Sequence, residues 1–410
     1  MRIIAMSVLG ALLMLGCSKS AVQKDPDPDA AALISRVQAA YDRGDWNTAL
    51  VLADSAERRS FAVPDVYFTR GLILTKMRRF DAAQRAFERV LALDPEYRKA
   101  WYNLGHNAFL QRQYREALRY YEQERALITK VGRRADSGGQ DRLALSAIAA
   151  QIGRTYALLG KRDSAEVAYQ EALALDGTYP VAHAWLSELY EEQEHIEQAL
   201  EHARKAFEGN PNETEYAYRL GALLFQSGQV AASVPLLSSV VQRWPGHEGA
   251  TYNLGRALIA AGHEKEGQAL LDRIDEIQRL QEEAGIAQRA VEVFPDDPQR
   301  WITLAGLMLR SGYYDKAEEA FRAALARKPN DLSLRNDLAN LAIVRGDTAL
   351  ALQRFQELVR DDSTFADGWL NLGIIYAMTG QSQAARAAWQ QVLRYKPDDP
   401  DVKAYLARLD

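Results

Sequence analysis

The chain of 410 residues and 45.9 kDa is 48% hydrophobic and 26% charged. It is long enough for two or three ordinary domains or one repeat array, and too apolar for a disordered chain. A formal charge of -5 gives no electrostatic reason to expect a nucleic-acid backbone as the main ligand, and one cysteine among six scattered histidines excludes a disulfide framework or a thiolate zinc cluster.

At the amino terminus, Arg2 precedes an apolar run from Ile3 to Leu15, followed by Gly16 and Cys17, which is the layout of a targeting segment. The run covers about 20 Å at 1.5 Å per residue, against a hydrocarbon core of roughly 30 Å, so it is short for a membrane span. Leu13-Met14-Leu15-Gly16-Cys17 resembles a bacterial lipobox, with Met14 where leucine is commonest, and it holds the chain's single cysteine. The resemblance implies that 1–16 is a lipoprotein signal peptide, that Cys17 receives diacylglycerol on its thiol, and that its freed amine is then acylated, with palmitate as the expected acyl group. Two or more acyl chains, at about 0.8 kcal/mol per buried CH₂, anchor stably. An ordinary cleaved signal and an uncleaved anchor are the competing readings. Residues 17–29 are the lipidated cysteine and a polar, proline-interrupted spacer. Ser18 resembles the sorting position of outer-membrane cargo, so the expected location is the outer membrane, facing the periplasm.

From Ala30 the sequence repeats every 34 residues. Units start at Ala30, Pro64, Arg98, Ser146, Pro180, Thr214, Glu248, Pro298, Leu332 and Ala366, ten in all. With the first residue of each as position 1, the last unit carries Trp369, Leu372, Gly373 and Tyr376 at positions 4, 7, 8 and 11, and Ala385, Trp389 and Val392 at 20, 24 and 27. These return at helical spacing, one stripe on each of two helices. A small residue at 8 and 20 permits close helix approach, and a large one at 24 fills the opening between units. Glycine at position 15 (Gly160, Gly228, Gly262, Gly312, Gly346, Gly380) fits a left-handed turn between helices A and B.

The period and the pattern Trp-x-x-Leu-Gly-x-x-Tyr, then Ala, then an aromatic, then Pro, resemble the tetratricopeptide repeat. The resemblance implies an all-α, right-handed superhelical solenoid of helix-turn-helix repeats over residues 30–399. Two insertions break the period, near 132–145 and 282–297. The first is read as a surface loop, Gly132 to Gly139, after a lengthened helix B. The second is read as a long helix B through Leu270 to Leu280, with a short helix at Ala290 to Phe294. Neither changes composition enough to mark a separate domain, so one continuous solenoid is expected, closed by a capping helix over 400–410.

In this family the usual ligand-facing positions of helix A are 2, 5, 6, 9, 12 and 13. Asn recurs at position 6 (Asn103, Asn253, Asn371), where a carboxamide can pair with an extended peptide backbone or bridge neighbouring helices. Phe68, Leu72, Tyr102, His106, Phe109 and Ile374 are the accompanying groove candidates. The Lys and Asn pattern of the co-chaperone carboxylate clamp is absent, since Phe68, Leu72, Ala147 and Gln151 stand where it needs other residues. No His-x-x-x-His, phosphate loop or paired-carboxylate motif occurs, so no catalytic residue, metal or cofactor is expected. The expected function is a membrane-tethered periplasmic scaffold or adaptor for a protein or extended peptide segment. The alternative is a self-associating envelope-assembly factor, with an enzyme third.

Overall fold

A computed structural model describes residues 28–42, 46–58, 63–132 and 138–409. The expected signal segment, Cys17, the spacer as far as Asp27, and the loop residues 133–137 lie outside the described residues.

Every described element is a helix, and most fall in pairs. The pairs are α1 (Pro28–Asp42) with α2 (Trp46–Arg58), α3 (Pro64–Lys76) with α4 (Phe80–Leu93), α5 (Ala100–Leu110) with α6 (Tyr114–Gly132), and α7 (Gly138–Leu158) with α8 (Arg162–Leu175). Then come α9 (Pro180–Glu192) with α10 (Ile196–Gly209), α11 (Thr214–Gln226) with α12 (Val230–Arg243), and α13 (Glu248–Ala260) with the short α14 (Glu264–Leu271). After α15 (Ile274–Val293), the last pairs are α16 (Pro298–Arg310) with α17 (Tyr314–Arg327), α18 (Leu332–Val344) with α19 (Thr348–Asp361), and α20 (Ala366–Met378) with α21 (Ser382–Tyr395). A final α22 spans Pro400–Ala407, and its Val402 packs with Trp389 and Val392.

The repeat register explains the packing. The residue at position 24 of helix B is inserted against position 8 of its own helix A. Phe87 meets Gly71, Tyr121 meets Gly105 and Tyr169 meets Gly153 so closely that a Cβ on Gly105 would lie 2.7 Å from the Tyr121 ring, far inside van der Waals contact. The rings of Phe87, Tyr121, Tyr169 and Phe355 are fully buried. In the repeat starting at Pro180, position 24 is Ala203, and the facing Ser187 gives its hydroxyl to the Ala199 carbonyl at 2.8 Å. The six described position-15 glycines all have positive φ, from 71° to 90°. Three repeats place Arg78, Arg112 and Glu194 in that same left-handed turn, at φ 57°, 61° and 61°.

Four details differ from the sequence reading. Helix α1 begins at Pro28, inside the expected spacer, with proline at the helix start where a missing N–H costs nothing. Gly138 and Gly139 are helical, because α7 extends eight residues ahead of its repeat start. The second insertion breaks at Asp272-Arg273: helix B of the Glu248 repeat stops after eight residues, and the twenty-residue α15 follows where a short helix near 290 was expected. Trp369 is half-buried with its indole N–H on the Ser363 carbonyl at 2.9 Å, while Trp389 is the core ring of that repeat, 4% exposed.

By its contacts the chain forms two compact units where one continuous array was expected. The first holds the described residues up to Arg243 together with Gly249–Leu271; the second holds Trp244–Glu248 and the residues from Asp272 onward. The physical reason lies in the shortened α14 and in α15, whose Ala284, Ala287 and Val291 pack on Leu304, Ala305 and Met308 of the following repeat.

Candidate binding surface

Helix A of each repeat supplies the residues expected to meet a ligand, and in the first unit most of them are already engaged. Phe68 lies against Phe87 and Tyr97, with ring centroids 5.8 and 5.3 Å away, and Leu72 is 9% exposed, part of the core between α3, α4 and α5. Tyr102 packs on Tyr121 at 5.5 Å, and burial next to Glu124 pushes its phenol up to about 12. Phe109 packs on Tyr114 at 5.7 Å. His106 is held neutral, its imidazole lowered to about 4 by burial first and by Lys76 second.

The three asparagines diverge. Asn103 donates its amide to the Lys99 carbonyl of its own turn at 2.8 Å. Asn253 is half-buried, and its side chain makes no hydrogen bond among the described residues. Asn371 donates to Asn336 Oδ1 at 2.9 Å and so bridges neighbouring A helices.

Two polar features of the first unit escaped the sequence reading. Glu124, 1% exposed, accepts the backbone N–H of Lys99 at 2.7 Å and of Tyr102 at 3.2 Å, while Lys99 sits at φ 75°. A carboxylate from α6 thus does the work of a helix cap for α5. Burial pushes its carboxyl up, and the backbone donors and Arg98 pull it back; Arg98 itself is paired with Asp141. The signal was present: position 27 is Val90, Ala172, Ala206, Val240, Ala324, Leu358 and Val392 in other repeats, and glutamate only here.

The second feature is a ladder of ion pairs along three consecutive A helices. Arg154 reaches Glu188 at 3.0 Å, and Arg219 lies 3.9 Å from Glu188 and 2.9 Å from Glu191. Arg154 also lies over the Trp185 ring at 5.8 Å. Each charge faces an opposite one, so the ladder ties repeats together across their A helices. In the last repeat of this unit, Arg256 lies 5.7 Å from both Phe225 and Tyr252, and Tyr252 is 45% exposed.

His183 and His202 approach Nδ1 to Nδ1 at 2.8 Å, between the two helices of one repeat. The Gly177 carbonyl, 3.1 Å from His183 Nε2, can only accept, so His183 carries its proton on Nε2 and His202 donates from Nδ1. Both imidazoles are lowered by burial, His202 to about 4. Among the described residues no three His, Cys, Asp or Glu side chains gather as a metal site, and no described helix is long and apolar enough to cross a membrane.

The second unit presents a different face. Asp337 of α18 makes no hydrogen bond or ion pair among the described residues, and burial, with Asp331 nearby, pushes its carboxyl up. Val344 and Met378, at position 13 of successive repeats, are 51% and 63% exposed, and Ile374 of α20 is half-buried, packed into the core of the last repeat with Trp389 and Val392.

Known families and proteins match along most of this length. Tetratricopeptide repeat family models match residues 68–128, 156–224 and 224–288, and the middle TPR-like domain of cilia and flagella-associated protein 70 matches 276–396. Protein O-mannosyl-transferase TMTC1 of Homo sapiens is 24% identical over 222 residues, 53% of this chain and 22% of that protein. Cellulose synthase operon protein C of Pseudomonas fluorescens is 29% identical over 135 residues, 30% of this chain and 10% of that protein. The chain therefore spans less than a quarter of the length of either relative. A thermophilic TPR protein of Thermus thermophilus aligns in structure with 25% identity and a TM-score of 0.36, over 48% of this chain and 98% of that one.

Proposed function

We propose, from the premise that this chain is a tetratricopeptide repeat protein, that it is a lipid-tethered scaffold of the bacterial envelope, held in the outer membrane through Cys17 and facing the periplasm. Such repeats make a protein-interaction scaffold, and the partner is a protein engaged through an extended segment. The reading assigns the chain no catalysis, no cofactor and no nucleic acid.

The observation that carries the binding half is the A-helix surface left free beside a packed core, with the exposed Tyr252 and the half-buried Asn253, whose side chain makes no hydrogen bond among the described residues, in the first unit. The tether rests on the lipobox-like Leu13 to Cys17 and on the position of the chain's single cysteine.

Two measurements test the two halves. Cys17→Ala should abolish metabolic acyl labelling and the retention of the mature form in membrane fractions prepared without detergent; unchanged labelling rejects the tether. Crosslinking in intact envelopes should capture a partner that Tyr252→Ala/Asn253→Ala loses while helical content stays intact. If capture is unchanged and the lipid-free chain instead forms stable oligomers without any envelope partner, self-assembly replaces the scaffold reading.

A further inference from the structure

The helix-A face of the second unit carries a carboxylate whose side chain finds no partner among the described residues. Asp337 sits at position 6 of α18, half-buried. An ionised group taken partly out of water without a partner lowers stability. One residue before it, the Asn336–Asn371 amide bond uses one acceptor and one donor, leaving Asn336 Nδ2 and Asn371 Oδ1 without partners among the described residues. On α16, a Cβ added to Gly306 would meet nothing within 4 Å, so the face is open there. Toward the carboxyl-terminal ends of the same helices stand the aliphatic Val344 and Met378.

We infer that this face binds an extended peptide segment carrying a lysine or arginine with an aliphatic residue about three places away. The inference rests on the scaffold reading and names the chemistry of its ligand. The cation pairs with Asp337. The free amide donor and acceptor pair with one peptide unit of the ligand backbone, as in strand addition. The aliphatic side chain covers Val344 and Met378. Spacing sets the motif: Asp337 and Val344 are seven residues apart on one helix, about 10 Å at 1.5 Å per residue, which matches about three residues of extended chain at roughly 3.4 Å each. A basic segment is preferred over an acidic one because Arg335 and Arg345, the two cations nearest to Asp337 in sequence, are already paired, Arg335 with Asp361 and Arg345 with Asp315 and Glu318.

The test uses the full-length chain and three fluorescent dodecapeptides, identical except for a central lysine, norleucine or glutamate, each with leucine three residues on. Fluorescence anisotropy should show the lysine peptide binding at least about fivefold more tightly than the norleucine peptide, with glutamate weakest and the difference shrinking in high salt. Asp337→Asn should erase the preference without lowering the melting temperature, and Gly306→Leu should weaken all three peptides by filling the open position. Equal binding of the three, or a preference that survives Asp337→Asn, overturns the inference while leaving the scaffold reading intact. Absence of binding by any peptide overturns the inference too, and partner capture through Tyr252 and Asn253 then decides the scaffold reading separately.

Discussion

The two units use the same helix-pair packing and finish their A-helix faces in opposite ways. In the first, Arg154, Glu188, Arg219 and Glu191 neutralise one another, and aromatic candidates such as Phe68 and Tyr102 are absorbed into the packing. In the second, the Asp337 side chain makes no hydrogen bond or ion pair among the described residues, and Val344 and Met378 stay exposed. A face that satisfies its own charges stabilises the stack and offers a ligand little. A face that leaves a charge and an amide pair unsatisfied gives up stability that a ligand can return.

The comparison assumes that the cores are equivalent, and removing the position-24 ring tests that assumption with the largest expected effect. Tyr169→Ala in the first unit and Phe355→Ala in the second should each cost about 3 to 5 kcal/mol, since both rings are fully buried. Hydrogen exchange should localise each loss to the mutated repeat and its neighbours. A loss below about 1 kcal/mol at either site would mean that the two units are not built on one packing device.

Next in size is the contrast between the faces. Arg219→Leu strands Glu191 and leaves Glu188 with Arg154 alone, and it should destabilise by about 1 to 2 kcal/mol, less than for a fully buried pair because both carboxylates keep some water. Asp337→Asn removes an unpaired charge and should leave stability unchanged or raised. Denaturant unfolding of the two variants checks both, and a destabilised Asp337→Asn would place a hidden partner beside that carboxylate.

The period, the left-handed glycine turns and the pairing of position 8 with position 24 were legible because most repeats write them in similar residue types, as in Gly71 with Phe87, Gly153 with Tyr169 and Gly373 with Trp389. What could not be read depends on which residues from distant positions meet. Glu124 reaches back 25 residues to cap α5, and His183 meets His202 across 19. The break at Asp272-Arg273 carries neither glycine nor proline, so local propensity gave no stop signal. Of the groove candidates, Asn103 spends its amide on its own helix. Asp337, at the same position 6, went unnoticed because exposure and pairing, which the sequence does not contain, are what distinguish it.

A pH titration separates the units on a finer scale. His202 is lowered to about 4 from an ordinary 6.5, with His183 also lowered, so the unfolded chain takes up protons first as pH falls. The stability this pair contributes is complete above about 6.5 and is lost as pH drops toward 4. The surrounding charges are Lys205, Glu201, Glu166 and Asp176, and His106 behaves alike beside Lys76. Protection of the Pro180 repeat amides should therefore fall between pH 6.5 and 4.5. In His202→Gln, which keeps a donor for His183 but does not titrate, that fall should flatten; an unchanged slope would assign it to other groups.

The smallest effect concerns the turns between helices A and B. In the second unit all three position-15 residues, Gly312, Gly346 and Gly380, are glycines with positive φ, while the first unit bends Arg78, Arg112 and Glu194 into the same conformation. A side chain there costs roughly 1 to 2 kcal/mol in the folded state, and glycine's larger unfolded entropy offsets about 0.5 to 1 kcal/mol of the relief. Glu194→Gly should thus stabilise the first unit by about 1 kcal/mol or less, and Gly346→Ala should destabilise the second by about the same amount. The space at Gly346 is open, with nothing within 4 Å of an added Cβ, so that loss reports backbone strain alone. If Glu194→Gly lowers stability instead, the glutamate side chain contributes more at its turn than the left-handed backbone takes away.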